Sequence, residues 1–177
     1  EKSYVSVTLA SDDMTRAKNG NEYEEGLDVE REVKSAYVFF FQDGKAFEVA
    51  FDGAAPANWL KVDLSGNEKD MDNVSDVKDA VLVLQNYKGQ YPNQMMAILN
   101  WEPKKASYKL SELQTEIATA VNNTNGFVMS NAVYANSNNK AVDAVPLTVE
   151  NIGKTAAEAL ANPVTIHVER VAAKVVY

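Results

Sequence analysis

The chain has one histidine, His167, and no cysteine, so thiolate chemistry and cysteine-ligated metals are excluded. His167 could serve as the base of a Ser-His-Asp triad, but no serine stands in a nucleophile context such as G-x-S-x-G. It lies midway along a strand-like segment, and its neighbours Ile166 and Val168 face the other way. We interpret His167 as a surface or packing residue, and we predict no catalytic residue and no enzyme activity.

Carboxylates are numerous enough to suggest a metal site or glycoside hydrolysis. One acidic stretch contains Glu68, Asp70, Asp72, Asp76 and Asp79. It fails the pattern of a calcium loop, because Val74 and Ser75 stand where a ligand and the obligatory glycine should fall. We therefore interpret it as a solvated loop, and we predict no metal and no cofactor. A glycosidase pair of carboxylates stays open as a distant alternative, because such a pair forms in space and not along the sequence.

Several aromatic residues could stack on sugar rings. They are Trp59, Tyr87, Tyr91 and Trp101. Aromatic rings beside strands more often pack in a core or at its rim. A surface platform built from Tyr87, Tyr91 or Trp101 would be the mark of a glycan-binding module, and this alternative stays open.

The overall charge argues against polyanionic partners. The 17 Lys and Arg residues against 25 Asp and Glu residues give a net charge of -8 and a pI near 4.7. Such a chain repels phosphate backbones and anionic lipid surfaces, so we predict no nucleic-acid partner. The longest apolar runs are far shorter than the ~20 residues that a membrane helix needs.

At 177 residues the chain is predicted to be a single domain over 1–177, mainly β, with about seven or eight strands and two short helices in a β-sandwich. Residues 3–10 alternate strictly and place Val5, Val7 and Leu9 on one face. Residues 33–42 are apolar on both faces, which indicates a covered central strand. Asp43-Gly44 then predicts a tight hairpin, and the returning segment 45–52 places Phe47, Val49 and Phe51 inward.

Weaker patterns complete the prediction. Further strands are expected at 80–86, 94–100, 127–135, 145–149 and 164–177, the last with a β-bulge near residues 169–170. Ser111 with Gln114, and Thr155 with Glu158, resemble capping boxes that begin the two helices. Residues 54–79 are interpreted as a loop in which Trp59 is packed.

The segment 11–31 is polar, acidic and interrupted by Asn19-Gly20 and Gly26. Such a composition cannot build a core, so we predict a long exposed loop. The first strand is therefore expected to be joined to the rest of the domain by a protease-accessible segment. Arg16, one of three arginines, lies in that segment.

Four segments in order carry a family resemblance. They are YVSVTLA followed by TRA (Thr15, Arg16, Ala17), then VKSAYVFFFQDGK, SELQTEIATAVNNTNGFVMSNAV and NPVTIHVERVAAKV. Together they resemble the fimbrillin family, the major-subunit proteins of Bacteroidales type V fimbriae, and in particular its short-fimbria (Mfa-type) branch. The resemblance covers nearly the whole chain except the acidic loop 54–79.

The resemblance implies a transthyretin-like β-sandwich, the N-terminal domain of such subunits, exported as a lipoprotein precursor to the outer membrane and carried outside the cell on fimbriae. It implies that an Arg-specific protease cuts the Arg16-Ala17 bond, that residues 1–16 leave, and that a neighbouring subunit's strand replaces Val5, Val7 and Leu9. A host or bacterial surface ligand is a further possible partner.

The composition is consistent with this resemblance, because a short terminal strand on an exposed loop can be cut and lost, which leaves two open strand edges. The family's subunits usually carry a second domain that gives the donor strand, whereas this chain stops at Tyr177, directly after the predicted last strand. It is therefore expected to be a fragment or an atypical member of the family, and to accept a strand without giving one. Because it starts at Glu1, it is also expected to be a processed product. A tip or accessory adhesin, or a glycan-binding sandwich, is the alternative function.

Overall fold

The computed structural model describes residues 2–11, 33–50, 56–63, 77–85, 89–121, 128–131 and 144–170. Within them the fold is mainly β with two helices, as the sequence predicted. The strands are β1 (Lys2–Ser11), β2 (Ala36–Gln42), β3 (Lys45–Ala46), β4 (Trp59–Lys61), β5 (Val77–Gln85), β6 (Gln94–Leu99), β7 (Met129–Asn131), β8 (Val145–Pro146), β9 (Ile152–Gly153) and β10 (Val164–Arg170). The helices are α1 (Leu110–Val121) and α2 (Ala156–Ala161), and a 3₁₀ turn covers Val149–Asn151.

All ten strands belong to one curled, sandwich-like sheet. Its main path runs β3-β2-β6-β7-β10-β1-β5, and the short strands β4, β8 and β9 pair with β2, β6 and β1. The two ends of the path approach each other, because the backbone N–H of Gln85 in β5 donates to the carbonyl of Val49 after β3, at 2.8 Å. The first strand is therefore an interior strand of the sheet.

The larger core fills the inside of the curl. Its members come from the five longest strands: Val5, Val7 and Leu9 of β1, Val38 and Phe40 of β2, Leu82 and Leu84 of β5, Met95, Ala97 and Leu99 of β6, and Val164, Ile166 and Val168 of β10. Residues two apart on a strand share a face, so each strand contributes alternate residues. Phe47 and Val49 join the same core, as predicted, although regular pairing ends at Ala46. Phe51 lies outside the described residues.

A second, smaller core lies on the outer face of β2. There Tyr37, Phe39 and Phe41 pack with a group that includes Leu113 and Ile117 of α1. The prediction that β2 is covered on both faces is confirmed, because every residue from Ala36 to Phe41 is buried.

The turn between β2 and β3 is the hairpin that Asp43-Gly44 predicted. Asp43 has φ 52° and Gly44 has φ 83°, the pair of positive φ values that a type I′ turn requires. The same turn fixes the start of α1, because the N–H of Leu110 donates to the carbonyl of Gly44 at 3.0 Å.

The start of α1 differs from the prediction. Ser111 does not cap this helix but lies in its first turn, since the helix begins at Leu110. The carboxylate of Glu112 accepts a hydrogen bond from the N–H of Lys109, at 2.8 Å, and so satisfies the free donor at the helix start. The stripe formed by Leu113 and Ile117 is buried as expected.

One buried amide fastens the segment before α1 to the sheet. Asn58 is fully buried, and its Nδ2 donates to the carbonyls of Phe40, at 3.0 Å, and Tyr108, at 2.9 Å. Its Oδ1 accepts from the N–H of Tyr108 at 3.0 Å. These contacts give buried backbone groups the partners that they need.

Other differences from prediction are local. The short strand β4 lies in a stretch interpreted as loop, and β5 begins three residues earlier than the expected residue 80. The expected strand 145–149 pairs only over Val145–Pro146 and passes into the 3₁₀ turn. Pairing of β10 stays in regular register through Arg170, so no bulge occurs up to that residue, and 171–177 lie outside the described residues. No described helix is long and apolar enough to cross a membrane.

Candidate functional site in the groove of the first strand

Strand β1 is paired on both sides. On one side it runs antiparallel to β5 in continuous register, from Lys2 opposite Gln85 to Ala10 opposite Val77. On the other side it pairs with two elements in turn, antiparallel β9 and then parallel β10. If β1 left, the edges of β5 and β10 would both lose their backbone partners.

The inner face of β1 carries the residues that the sequence singled out. Val5 and Val7 are 0% exposed and Leu9 is 1% exposed. Val7 lies opposite Val164 and Ala80, so its side chain belongs to a row that crosses three strands. Burying an aliphatic side chain of this size contributes roughly 1.5–3 kcal/mol. These three residues therefore anchor β1 in the main core.

The outer face of β1 is fully covered only around Ser6. Tyr4 and Thr8 on that face are partly buried, whereas Ser6 between them is only 2% exposed. The helix α2 packs against β1 and also contacts β5 and β9. Its single buried residue is Ala159. We attribute the burial of Ser6 to this helix, which crosses the outer face on its way from β9 to β10.

The approach of α2 to the sheet depends on Gly153. This glycine of β9 lies opposite Tyr4, and a Cβ atom there would stand 2.7 Å from the backbone nitrogen of Ala159 and 2.9 Å from the carbonyl oxygen of Thr155. Only glycine, which has no Cβ atom, lets the start of α2 lie this close to β9. The helix start was predicted correctly: the Thr155 hydroxyl accepts from the N–H of Glu158 at 3.1 Å.

The carboxylate of Glu158 also helps to fix α2, though not as the sequence suggested. It accepts from the N–H of Lys154 at 2.8 Å, one residue before the N-cap. Asn151 of the 3₁₀ turn donates its Nδ2 to the carbonyl of Asn162 at 3.0 Å, which ties the two ends of the β9–α2 segment together. The covering element is thus held at both ends.

The expected processing bond follows this strand. Arg16 and Ala17 lie outside the described residues, as does Arg31. The third arginine, Arg170, is the last residue of β10 and lies opposite Met129 in β7. Thus the only arginine within the described part of the chain belongs to a paired strand.

His167 is placed on the outer face of β10. It is exposed and lies opposite Ala10 of β1, while Ile166 and Val168 point into the core. Among the described residues, no group of three His, Asp or Glu side chains could hold a metal ion. Of the five acidic residues Glu68, Asp70, Asp72, Asp76 and Asp79, only Asp79 is described, and it is exposed.

The sugar-platform residues are scattered. Trp101 is 5% exposed, and its ring centroid lies 6.0 Å from that of Tyr108 and 6.3 Å from that of Phe39. It therefore belongs to the second core and offers no surface for a sugar ring. Trp59 is half-buried against Tyr37. Tyr87 lies outside the described residues.

Tyr91 remains as a half-buried residue at an open cleft of about 720 Å³. The cleft is lined by Gln42, Gly89, Gln90, Tyr91, Pro92, Asn93, Leu147, Thr148, Val149 and Glu150. Amide, hydroxyl and carboxylate groups next to one aromatic ring are suited to a polar ligand such as a sugar.

Sequence reasoning identified the buried face of β1 but missed what surrounds it. The pairing with β9 and β10 joins segments far apart in the chain, so no local pattern marked it. The signal that was available is Gly153, which stands two residues before the predicted cap at Thr155. No protein-family model matches the chain, and no curated protein matches it at a significant level.

Proposed function

We propose that this chain is a structural subunit domain of a cell-surface fimbria, matured by Arg-specific cleavage after Arg16 and assembled by donor-strand exchange. The observation that carries the proposal is the position of β1. It is the first described strand, it is followed by a segment that contains Arg16, and it lies between other strands with Val5, Val7 and Leu9 in the core.

The energetics of the β1 site favour replacement of β1 by another strand over loss of β1 without replacement. An empty β1 site would expose apolar side chains of β5 and β10 together with two rows of unpaired backbone groups. A neighbouring subunit's strand with the same alternation would restore both kinds of contact, which is recognition by β-strand addition. The sandwich needs a strand in this site, whichever chain supplies it.

The wider setting of the proposal comes from the four fimbrillin-like segments. It includes export as a lipoprotein precursor, an extracellular location on fimbriae at the outer membrane, and neighbouring subunits as partners. The subunit acts by assembly, and the proposal assigns it no cofactor and no catalytic residue.

The test is a brief digestion of the folded chain with an Arg-specific protease, followed by native mass spectrometry. We expect one cut after Arg16, with residues 1–16 still bound. The matched control is Arg16→Lys, which keeps the charge and should resist the enzyme. Fragmentation throughout the domain, or an uncut Arg16, would contradict the proposal.

A second function is favoured by the cleft beside Tyr91. An adhesin or glycan-binding module would use this partly exposed ring with the polar groups of Gln42 and Thr148. A glycan array should then give a signal that Tyr91→Ala abolishes and Val83→Ala, on the exposed face of β5, leaves unchanged. A blank array would count against this function.

A further inference from the structure

We infer that the β1 site selects its occupant by size and direction: it accepts a strand that runs as β1 runs and carries a small side chain at the position of Ser6. The selection of a donor from another chain rests on the proposed function. The size limit itself is a property of the site in the intact chain.

The direction follows from the two strands that flank the site, β5 and β10, which are called its walls below. The β5 wall makes a continuous antiparallel ladder with β1, and the β10 wall makes a parallel ladder from Val7 opposite Val164 to Ser11 opposite Val168. Parallel and antiparallel ladders place their donors and acceptors differently. A reversed strand would face the wrong spacing on both walls at once, so it would lose hydrogen bonds along the whole site.

The size limit follows from the junction in the second wall. Ser6 stands between Val5, which is the last residue paired with β9, and Val7, which is the first paired with β10. The chain passes from β9 to β10 through α2, and Ser6 is buried to 2% exposure although it faces away from the main core. A larger side chain at this position must displace α2.

The helix has little room to move. The helix already occupies the space that a side chain at Gly153 would need, because a Cβ atom there would stand 2.7 Å from the backbone nitrogen of Ala159. The Asn151 to Asn162 hydrogen bond closes the segment around α2. Thr8, two residues further along the same outer face, is only half-buried and lies beyond β9, so it should accept a larger side chain.

The occupant is therefore an extended segment with apolar residues at the positions of Val5, Val7 and Leu9 and a small residue between the first two. A strand whose apolar and polar residues merely alternate is therefore not sufficient to occupy the site. A strand with a bulky residue at the Ser6 position would fill the core correctly and still be rejected on the outer face.

The first experiment uses the intact chain. Ser6→Leu should lower Tm by roughly 4–10 °C, as expected for forcing extra methylene groups into a packed site. Thr8→Leu, the matched control on the same face, should leave Tm within about 2 °C. Equal Tm values for the two variants would overturn the size limit.

The second experiment uses the wild-type chain cut after Arg16 and refolded with labelled peptides of residues 2–11. The wild-type and Thr8→Leu peptides should be retained equally, and the Ser6→Leu peptide at least ~10-fold less. The direction is tested separately: an Ala10→Cys peptide should form a disulfide with a chain that carries His167→Cys, because these two positions lie opposite each other when the peptide runs as β1 runs. This arm does not require Ser6→Leu to fold within the chain.

The outcomes separate the two proposals. Equal retention of the Ser6→Leu and wild-type peptides would overturn the size limit, and a retained Ala10→Cys peptide that forms no disulfide with His167→Cys would overturn the direction. If no peptide exchanges while Ser6→Leu still lowers Tm and Thr8→Leu does not, donor-strand exchange fails and the size limit stands.

Discussion

Gly153 and Ala159 approach each other so closely that a Cβ atom on Gly153 would stand 2.7 Å from the Ala159 backbone nitrogen. This close approach lets α2 pack against β9 and also directly against the first strand. The covering of β1 therefore depends on one missing side chain.

Gly153→Ala should destabilise the domain by about 1–3 kcal/mol, because the added methyl group must push α2 from the sheet. Urea unfolding measures the loss, and amide hydrogen exchange should show faster exchange in the first half of β1. Lys154→Ala, at the exposed next residue, is the control and should change neither quantity. An unchanged midpoint for Gly153→Ala would show that α2 can move freely.

Leu9→Ala should lower the free energy of unfolding by about 2–5 kcal/mol, because it leaves a cavity in the main core. Leu9 is 1% exposed and lies opposite Ile166. The neighbouring change Thr8→Ala, on the outer face, should cost less than about 1 kcal/mol. Chemical denaturation of both variants provides the comparison. A similar loss at both positions would contradict the assignment of the two faces.

Asn58→Asp should destabilise the protein more than its small change in shape suggests. The amide Nδ2 donates to two buried carbonyls, those of Phe40 and Tyr108, and a carboxylate cannot donate when ionised. The expected loss is about 2–5 kcal/mol near neutral pH, measured by denaturant unfolding. Because protonation removes the buried charge, the loss should shrink in acid. A loss that does not depend on pH would argue against this explanation.

The start of α1 should respond to pH through Glu112. The hydrogen bond from the Lys109 N–H, with a smaller contribution from Lys105, holds the pKa of Glu112 below its ordinary value. A lowered folded-state pKa stabilises the fold above the unfolded-state pKa, and that contribution is lost as pH falls through the folded-state value.

The stability difference between wild type and Glu112→Gln should therefore be present at neutral pH and shrink as the pH falls below the ordinary pKa of a glutamate. Thermal unfolding across this range measures it. Glu116→Gln, which removes another exposed carboxylate of the same helix, should retain the wild-type response of Glu112. A difference that persists unchanged in acid would exclude the carboxylate as its source.

Local patterns predicted the parts of the fold that neighbouring residues determine. The alternation in residues 3–10 identified Val5, Val7 and Leu9 as buried, and Asp43-Gly44 identified the hairpin. In both cases the conformation depends only on residues close together in the sequence. The strand depends on the alternation of its side chains between two faces, and the turn depends on residues that tolerate a positive φ.

Contacts between distant segments explain most of what the sequence did not predict. The helix α1 starts at Leu110 and not after Ser111, because its first N–H binds Gly44 of the hairpin. The short strand β4 forms because Trp59 pairs opposite Phe39 and packs on Tyr37. The closed outer face at Ser6 depends in the same way on α2, which follows much later in the chain.

The parallel pairing of β1 with β10 has a consequence for biosynthesis. Val7 belongs to the first described strand and Val164 to the last, so this contact has a very large sequence separation. A fold dominated by such contacts has a high contact order and forms slowly. During translation β5 emerges long before β10, so the nascent first strand can gain one partner early and must wait for the other. The strand that we propose to be exchanged is thus also the one whose place in the sheet is completed late.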